Sequence, residues 1–217
     1  MQTTRFILVR HAETEGNASK DAATKVWQGA SDSPLTTRGE LQVEVTSAYV
    51  ATLHRRDAID VIYASTLPRA RRTADAICKA IGLPVQTDNT LREFDLGEWE
   101  GRTFAELEEI ENLSQHWEVD PYFTPPGGES PYIFQRRIVT VFENLASLHP
   151  NHTILVVTHG GVIRNLLGLW IGNGPDDWQR WRAANCSITI LEQRNQTWHP
   201  LLLNETSHLP PEAGRDC

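Results

Sequence analysis

Cysteine is scarce. Cys78, Cys186 and Cys217 are the only three in 217 residues, and no two of them share a metal-ligand spacing. An odd number cannot close a complete internal disulfide framework, so reduced thiols in a cytosolic protein are expected. Long apolar runs are missing too. The N-terminal run Phe6-Ile7-Leu8-Val9 is too short for the apolar region of a secretory leader. No stretch approaches the roughly 20 apolar residues of a membrane span. A soluble, cytoplasmic chain is therefore expected. Positive charge is in deficit, with 20 Lys and Arg against 28 Asp and Glu and a formal net charge of −8. That argues against a nucleic acid or a membrane surface as the partner. An anionic small molecule stays open, because a few local cations decide its binding.

Several catalytic signatures are absent as well. There is no GxxxxGK[ST] phosphate loop, and Gly172-Asn173-Gly174 has Asp177 where a dinucleotide fingerprint needs its third glycine. Gly128-Glu129-Ser130 begins a nucleophile elbow, but Tyr132 stands in place of the second glycine. No HExxH occurs. His149-Pro150-Asn151-His152 falls in a turn before a strand, where solvated histidines are expected. A cysteine-phosphatase loop requires Arg six residues after Cys, and Pro84 and Glu192 occupy those positions. No Asp-x-Asp pair sits at a strand end, which weakens a magnesium-dependent aspartyl phosphatase.

What is present is an alternation of strands and helices. Phe6–Val9, Val61-Ile62-Tyr63-Ala64 and Ile154-Leu155-Val156-Val157 are short continuous apolar runs, the pattern of strands buried on both faces. Helical patterns lie between them. One runs from Thr37 to about His54, with Thr37-Arg38-Gly39-Glu40 as its capping box. Others cover Arg69 to Ile81, stopped by Gly82 and Pro84, and Thr103 to about Leu113. Ser130 to Leu148 carries Pro131 in its first turn, and Val162 to Trp170 is ended by Gly172. Cys186–Leu191 and Trp198–Leu203 read as closing strands around Arg194-Asn195-Gln196. The predicted fold is α/β, a three-layer α/β/α sandwich with a mostly parallel central sheet, in one domain over 1–209. Residues 210–217 read as a frayed, disordered tail.

In such sheets the ligand sits beyond the carboxyl ends of the strands. That rule gathers Arg10-His11, Ser65-Thr66 and Thr158-His159 into one candidate site. A neutral imidazole can attack phosphorus, and arginines can clamp phosphoryl oxygens. Gly160-Gly161 would expose backbone N–H groups at a helix N-terminus, which favours an anion. Taken singly, each feature has an ordinary reading. A strand-end histidine can be structural, Arg69, Arg71 and Arg72 can form a solvated helix face, and Glu93 is one glutamate among many.

Taken together, six blocks in order resemble the histidine phosphatase superfamily, the phosphoglycerate mutase-like group. They are Leu8-Val9-Arg10-His11-Ala12-Glu13-Thr14 with Asn17, then Gln28-Gly29 with Asp32-Ser33-Pro34-Leu35-Thr36 and Gly39. Ser65-Thr66-Leu67-Pro68-Arg69-Ala70 and Leu91-Arg92-Glu93 with Gly97-Glu98-Trp99-Glu100-Gly101 follow. Pro126-Gly127-Gly128-Glu129-Ser130 with Arg137, and His159-Gly160-Gly161-Val162-Ile163-Arg164, complete the set. The resemblance implies His11 as the nucleophile and Arg10, Arg69 and His159 as ligands of the transferring phosphoryl group. It implies Glu93 as proton donor, with Asn17, Gly160, Gln28, Gly29 and His208 as phosphate- or substrate-binding residues.

The activity implied is a metal-independent phosphomonoester phosphatase working through a phosphohistidine on a small phosphorylated metabolite, without cofactor, as a homodimer. The branch resembled is that of α-ribazole and broad-specificity phosphatases. A cofactor-dependent phosphoglycerate mutase uses the same core, but Gly101 to Gly127 is too short for the mutases' insertion. A non-catalytic phospholigand-binding module is the alternative of another class, and retention of Arg10, His11, Arg69, Glu93 and His159 stands against it. Residues 18–27, with Lys25, form a longer lip than the pattern has. The 117–125 segment is expected to pack over the site, its aromatics either contacting an organic leaving group or, the favoured reading, packing as an ordinary loop-rich cap. Trp170, Trp178 and Trp181 read as core or interface, and Cys186 as a strand residue.

Overall fold

The apolar run Phe6–Val9 is continuous, yet its side chains divide. Phe6 and Leu8 enter one buried cluster, and Ile7 and Val9 enter another. Ile154 and Val156 divide from Leu155 and Val157 in the same way. Alternation along a pleated strand sends neighbours to opposite faces, so a run apolar at every position needs a covered layer on each side. Each such side chain contributes about 1.5–3 kcal/mol on leaving water.

The computed structural model describes residues 3–18, 26–111, 113 and 120–213. The elements are β1 (Thr3–Arg10), α1 (Glu15–Ala18), α2 (Thr37–Arg56), β2 (Val61–Ser65), α3 (Pro68–Ile81), β3 (Val85–Asp88) and α4 (Phe104–Glu111). Then come α5 (Pro131–Leu148), β4 (Thr153–Thr158), α6 (Gly160–Trp170), β5 (Ile188–Arg194) and β6 (Thr197–Glu205). They build a six-stranded sheet in the order β3-β2-β4-β1-β5-β6. The first four strands of that order are mutually parallel, and β5 and β6 are antiparallel additions. Val50 of α2 and Ala70, Ala74 and Ile77 of α3 cover the Ile7 and Val9 face. Phe134, Ile138 and Phe142 of α5 and Val162, Ile163 and Leu166 of α6 cover the other. This is the three-layer α/β/α arrangement expected, with a mixed but mostly parallel sheet.

Three details depart from the sequence reading. Val85–Asp88 forms β3, an edge strand too short and too polar to show as an apolar run. The cap of α2 is Thr36 rather than Thr37: its side chain accepts from Gly39 N, and Glu40 pairs with Arg72 instead of returning to the cap. The chain beyond 209 stays attached through 213. Pro211–Ala213 make a 3₁₀ turn, Ala213 is buried, and its carbonyl accepts from Gln42 Nε2 at 2.8 Å. Residues 214–217, including Cys217, lie outside the described residues. No helix among the described residues is long and apolar enough to cross a membrane.

Candidate active site

Parallel pairing of β1 and β2 with β4 places Arg10, Ser65 and Thr158 at one end of the sheet. His11 follows β1, and its backbone N–H donates to Thr158 O at 2.9 Å. His159 follows β4 and serves as the N-cap residue of α6. The two imidazoles lie 5.1 Å apart, centroid to centroid. Arg69 enters from the first turn of α3.

His11 is held in one tautomer. Its Nδ1 lies 2.8 Å from Ala12 O, which can only accept, so Nδ1 carries the proton and Nε2 keeps its lone pair. Arg69 Nε donates toward that Nε2 at 3.3 Å. Burial first, then the charges of Arg10 and Arg69, depress the His11 pKa well below the ordinary histidine value. His159 is depressed in the same direction by burial, then by His11, Arg69 and Arg10. Its Nε2 lies 2.7 Å from Ser65 Oγ. Its Nδ1 is buried with no hydrogen-bond partner among the described residues.

The arginines are aimed by backbone. Arg69 Nη2 donates to Gly29 O at 2.6 Å, and Nη1 donates to Ser31 O at 2.5 Å and to Asp32 Oδ1 at 3.0 Å. Arg10 Nη1 donates to Ala183 O at 2.7 Å. Glu93 sits in the loop after Leu91 and accepts from Gly161 N at 2.8 Å and Phe94 N at 3.0 Å. A Cβ at Gly161 would lie 2.2 Å from Glu93 Oε1, so only glycine admits this carboxylate.

Behind these side chains stands a supporting set that sequence reasoning quoted within its blocks without assigning work. Glu100 accepts from Gly29 N, Ala30 N and Ser31 Oγ, folding the loop that holds Arg69. Arg137 pairs with Glu129 and donates to the carbonyls of Thr90, Arg92 and Glu93. That pair fixes the loop bearing Glu93. The only signal for either was membership of an ordered block.

Arg10, His11, Asn17, Arg69, Glu93 and Gly160 line one cleft of about 1040 Å³. Gln28 and Gly29 line it as well, although the Gln28 amide bonds to Thr14 and Ser33 and the Gly29 carbonyl serves Arg69. Asn17 Oδ1 accepts from Thr14 N. His208 is not among the lining residues. It stacks on Tyr49 of α2 at 4.5 Å, with Nε2 3.1 Å from Thr46 Oγ1. The chain leaving β6 turns onto α2, where Leu209 and Ala213 are buried beside Val43, and this carries His208 away from the cleft.

The described part of the cap follows the ordinary-packing reading. Pro121 reaches the cleft, but Tyr122 is exposed against Tyr132, and Phe123 packs on Trp99. Trp117 and the rest of 114–119 lie outside the described residues, as do 19–25 with Lys25. Aromatic lining comes from Trp27, Phe94, Tyr132 and Phe134, and from Trp178 and Trp181, two tryptophans the sequence assigned to core or interface. Trp170 does pack inward, stacked on Trp198 at 3.7 Å. Cys186 precedes β5 rather than lying in it, and burial pushes its thiol up to about 12.

Comparison with known proteins agrees with this arrangement. A family model described as "Histidine phosphatase superfamily (branch 1)" matches residues 6–206. A bifunctional protein of Mycobacterium tuberculosis is 33% identical over 208 residues, which is 95% of this chain, and the chain spans only 55% of that relative's length. "Putative phosphoserine phosphatase 2" of Hydrogenobacter thermophilus is 31% identical over 94% of this chain and 97% of its own. "Probable phosphoglycerate mutase GpmB" of Yersinia enterocolitica is 35% identical over 89% and 87%. Among solved structures, Bacillus stearothermophilus YhfR superposes with a TM-score of 0.81 at 28% identity, covering 95% of this chain and 100% of that one. The α-ribazole phosphatase of Shigella flexneri gives 0.78 at 26%, covering 93% and 96%. With a histidine at the head of its sheet and a family match running from Phe6 to Thr206, this chain belongs to the histidine phosphatase superfamily, branch 1.

Proposed function

We propose that the protein hydrolyses phosphate monoesters of small metabolites through a phosphohistidine formed on His11. The observation that carries this reading is the His11 ring itself: Nδ1 is anchored on Ala12 O, and burial among Arg10 and Arg69 disfavours protonation of Nε2. A buried neutral imidazole with one defined lone pair is a nucleophile.

In the first step Nε2 attacks phosphorus and the bond from phosphorus to the ester oxygen breaks. Glu93 gives its proton to the departing oxygen, so the alcohol leaves neutral. In the second step water attacks phosphohistidine, Glu93 takes the water's proton, and Nε2 departs with its lone pair restored. Arg10, Arg69 and His159 stabilise the charge on the three phosphoryl oxygens. The Gly160 N–H, at the first turn of an eleven-residue helix, adds to them. Two arginines desolvated beside two histidines are balanced once a phosphate dianion enters.

The test is phosphate release from a panel of monoesters in EDTA, together with trapping of labelled enzyme. Wild type is expected to release phosphate and to carry an acid-labile, alkali-stable label. His11→Asn is expected to lose both. A label or a release rate that survives His11→Asn overturns the reading. A second reading, a phosphoglycerate mutase, is favoured by the 35% identity to the Yersinia relative so named. It shares the first step, and conversion of 3-phosphoglycerate to 2-phosphoglycerate rather than to free phosphate would identify it.

A further inference from the structure

Arg164 is a cation in the cleft that the two steps above do not use. It lies on α6 three residues after Gly161, so both face the same side of the helix. Going along α6, Gly160 lies against Arg10, Gly161 receives Glu93, and Arg164 stands about one turn further on. On the mechanism proposed above, the leaving alcohol departs on the Glu93 side of the phosphoryl group, the side on which Arg164 stands. The Arg164 guanidinium lies 4.6 Å from the centroid of the Trp178 ring, and both residues line the cleft. This cation–π contact with the indole holds the guanidinium in the cleft wall.

Part of the guanidinium's hydrogen-bonding capacity is unused. Its Nε is buried without a hydrogen-bond partner among the described residues, and no described carboxylate forms an ion pair with it. Both oxygens of the nearby Glu93 already accept amide N–H groups. Burial lowers the Arg164 pKa, and Glu93 only partly opposes it. The other charged residues at this end, Asp176 and Arg182, are exposed and of opposite sign. One half-buried guanidinium therefore sets the balance. It matches the single charge and fork geometry of a carboxylate, whereas a second phosphoryl dianion calls for a second inner cation.

We propose that Arg164 binds a carboxylate on the leaving alcohol, which makes the substrates phosphorylated hydroxy acids or hydroxy amino acids with the carboxylate close to the ester carbon. This assignment rests on the phosphomonoesterase reading above. It is tested with ester pairs that differ in the carboxylate: phosphoglycolate against ethyl phosphate, and O-phosphoserine against O-phosphoethanolamine. For each pair, the ratio of kcat/KM is measured in wild type, Arg164→Gln and Arg164→Lys, with p-nitrophenyl phosphate as a reference ester. In wild type the carboxylated member is expected to win by at least about tenfold, the scale of one charge-assisted contact. Arg164→Gln is expected to bring both ratios near one. Arg164→Lys keeps the charge without the fork and falls between.

Wild-type ratios near one overturn the assignment. So does an Arg164→Gln variant that loses rate on both members of a pair while keeping the ratio, because the residue then acts through Glu93 or through folding. No hydrolysis of any ester by wild type, p-nitrophenyl phosphate included, overturns the phosphomonoesterase reading itself. That outcome is distinct from hydrolysis without a carboxylate preference.

Discussion

Glu100→Gln isolates a residue that touches no substrate. The carboxylate is half-buried and accepts on both oxygens: Oε2 from Gly29 N and Ser31 Oγ, Oε1 from Ala30 N and Leu96 N. A glutamine amide keeps one accepting oxygen and turns its NH₂ toward the other pair of donors. Two charge-assisted bonds at about 1.5 kcal/mol each, the low end for a partly exposed group, give a loss of about 3 kcal/mol. In a chain of this size that is a fall in Tm of about 6–12 °C. The functional loss should be larger than folding alone explains. The 29–32 segment supplies the three partners that aim Arg69 at His11, and a small misplacement of a phosphoryl clamp costs about 10²-fold in rate. The assay is kcat and KM on the best monoester, well below the variant's Tm, beside a thermal melt. A fall confined to kcat, with phosphate release still dependent on His11, is the expected signature. A Tm drop of the stated size with kcat/KM within threefold of wild type would refute the reasoning, because Arg69 would then be held without that loop.

Two further predictions address the acid and the histidines. In Gly161→Ala a Cβ would lie 2.2 Å from Glu93 Oε1. The carboxylate must move, so kcat should fall at least tenfold, with a stability cost of about 1–3 kcal/mol; an unchanged kcat would show that Glu93 works from elsewhere. His11 and His159 both have pKa values depressed on folding, so the unfolded chain takes up protons near pH 6.5 that the folded protein refuses. Their contribution to stability is full above that pH. It declines on acidification, by up to about 1.4 kcal/mol per pH unit for each histidine. Urea midpoints at pH 7 and pH 5.5 should therefore drop less for His159→Gln than for wild type, and equal drops would count against a neutral buried His159.

How much was legible in the sequence follows a physical line. Arg10, His11 and His159 are readable because three apolar runs predict parallel strands, and topology alone then brings their carboxyl ends together; Arg69 lies on the helix after β2, and only the family resemblance picks it out. Glu100 and the Glu129–Arg137 pair were not assigned work, because their job is to hold loops whose paths exist only after folding. Trp178, in a 3₁₀ turn after α6, carries no periodic signal, so its place in the cleft wall came only from packing. His208 went the other way. Its position in a closing block suggested substrate contact, but the turn after β6 commits it to Tyr49. The capping residue of α2 moved by one because Thr36 and Thr37 offer the same hydroxyl, and the choice rests on which backbone N–H is in reach.

The place of β1 in the sheet has a consequence for biosynthesis. It lies in the interior, between β4 and β5, yet the ribosome makes it long before either. Asn185, whose side chain braces the His11 carbonyl, is translated 174 residues after that histidine. At about 5–20 residues per second, the strand that leads into His11 waits roughly ten to forty seconds for β5, its last neighbour. Through that interval the apolar run Phe6–Val9 has both pairing edges open until β4 is made and one edge open until β5 is, a template for any nascent neighbour. The nucleophile thus becomes competent only after Asn185 and β5 have been made, and yield in the cell depends on whatever shields those few residues meanwhile.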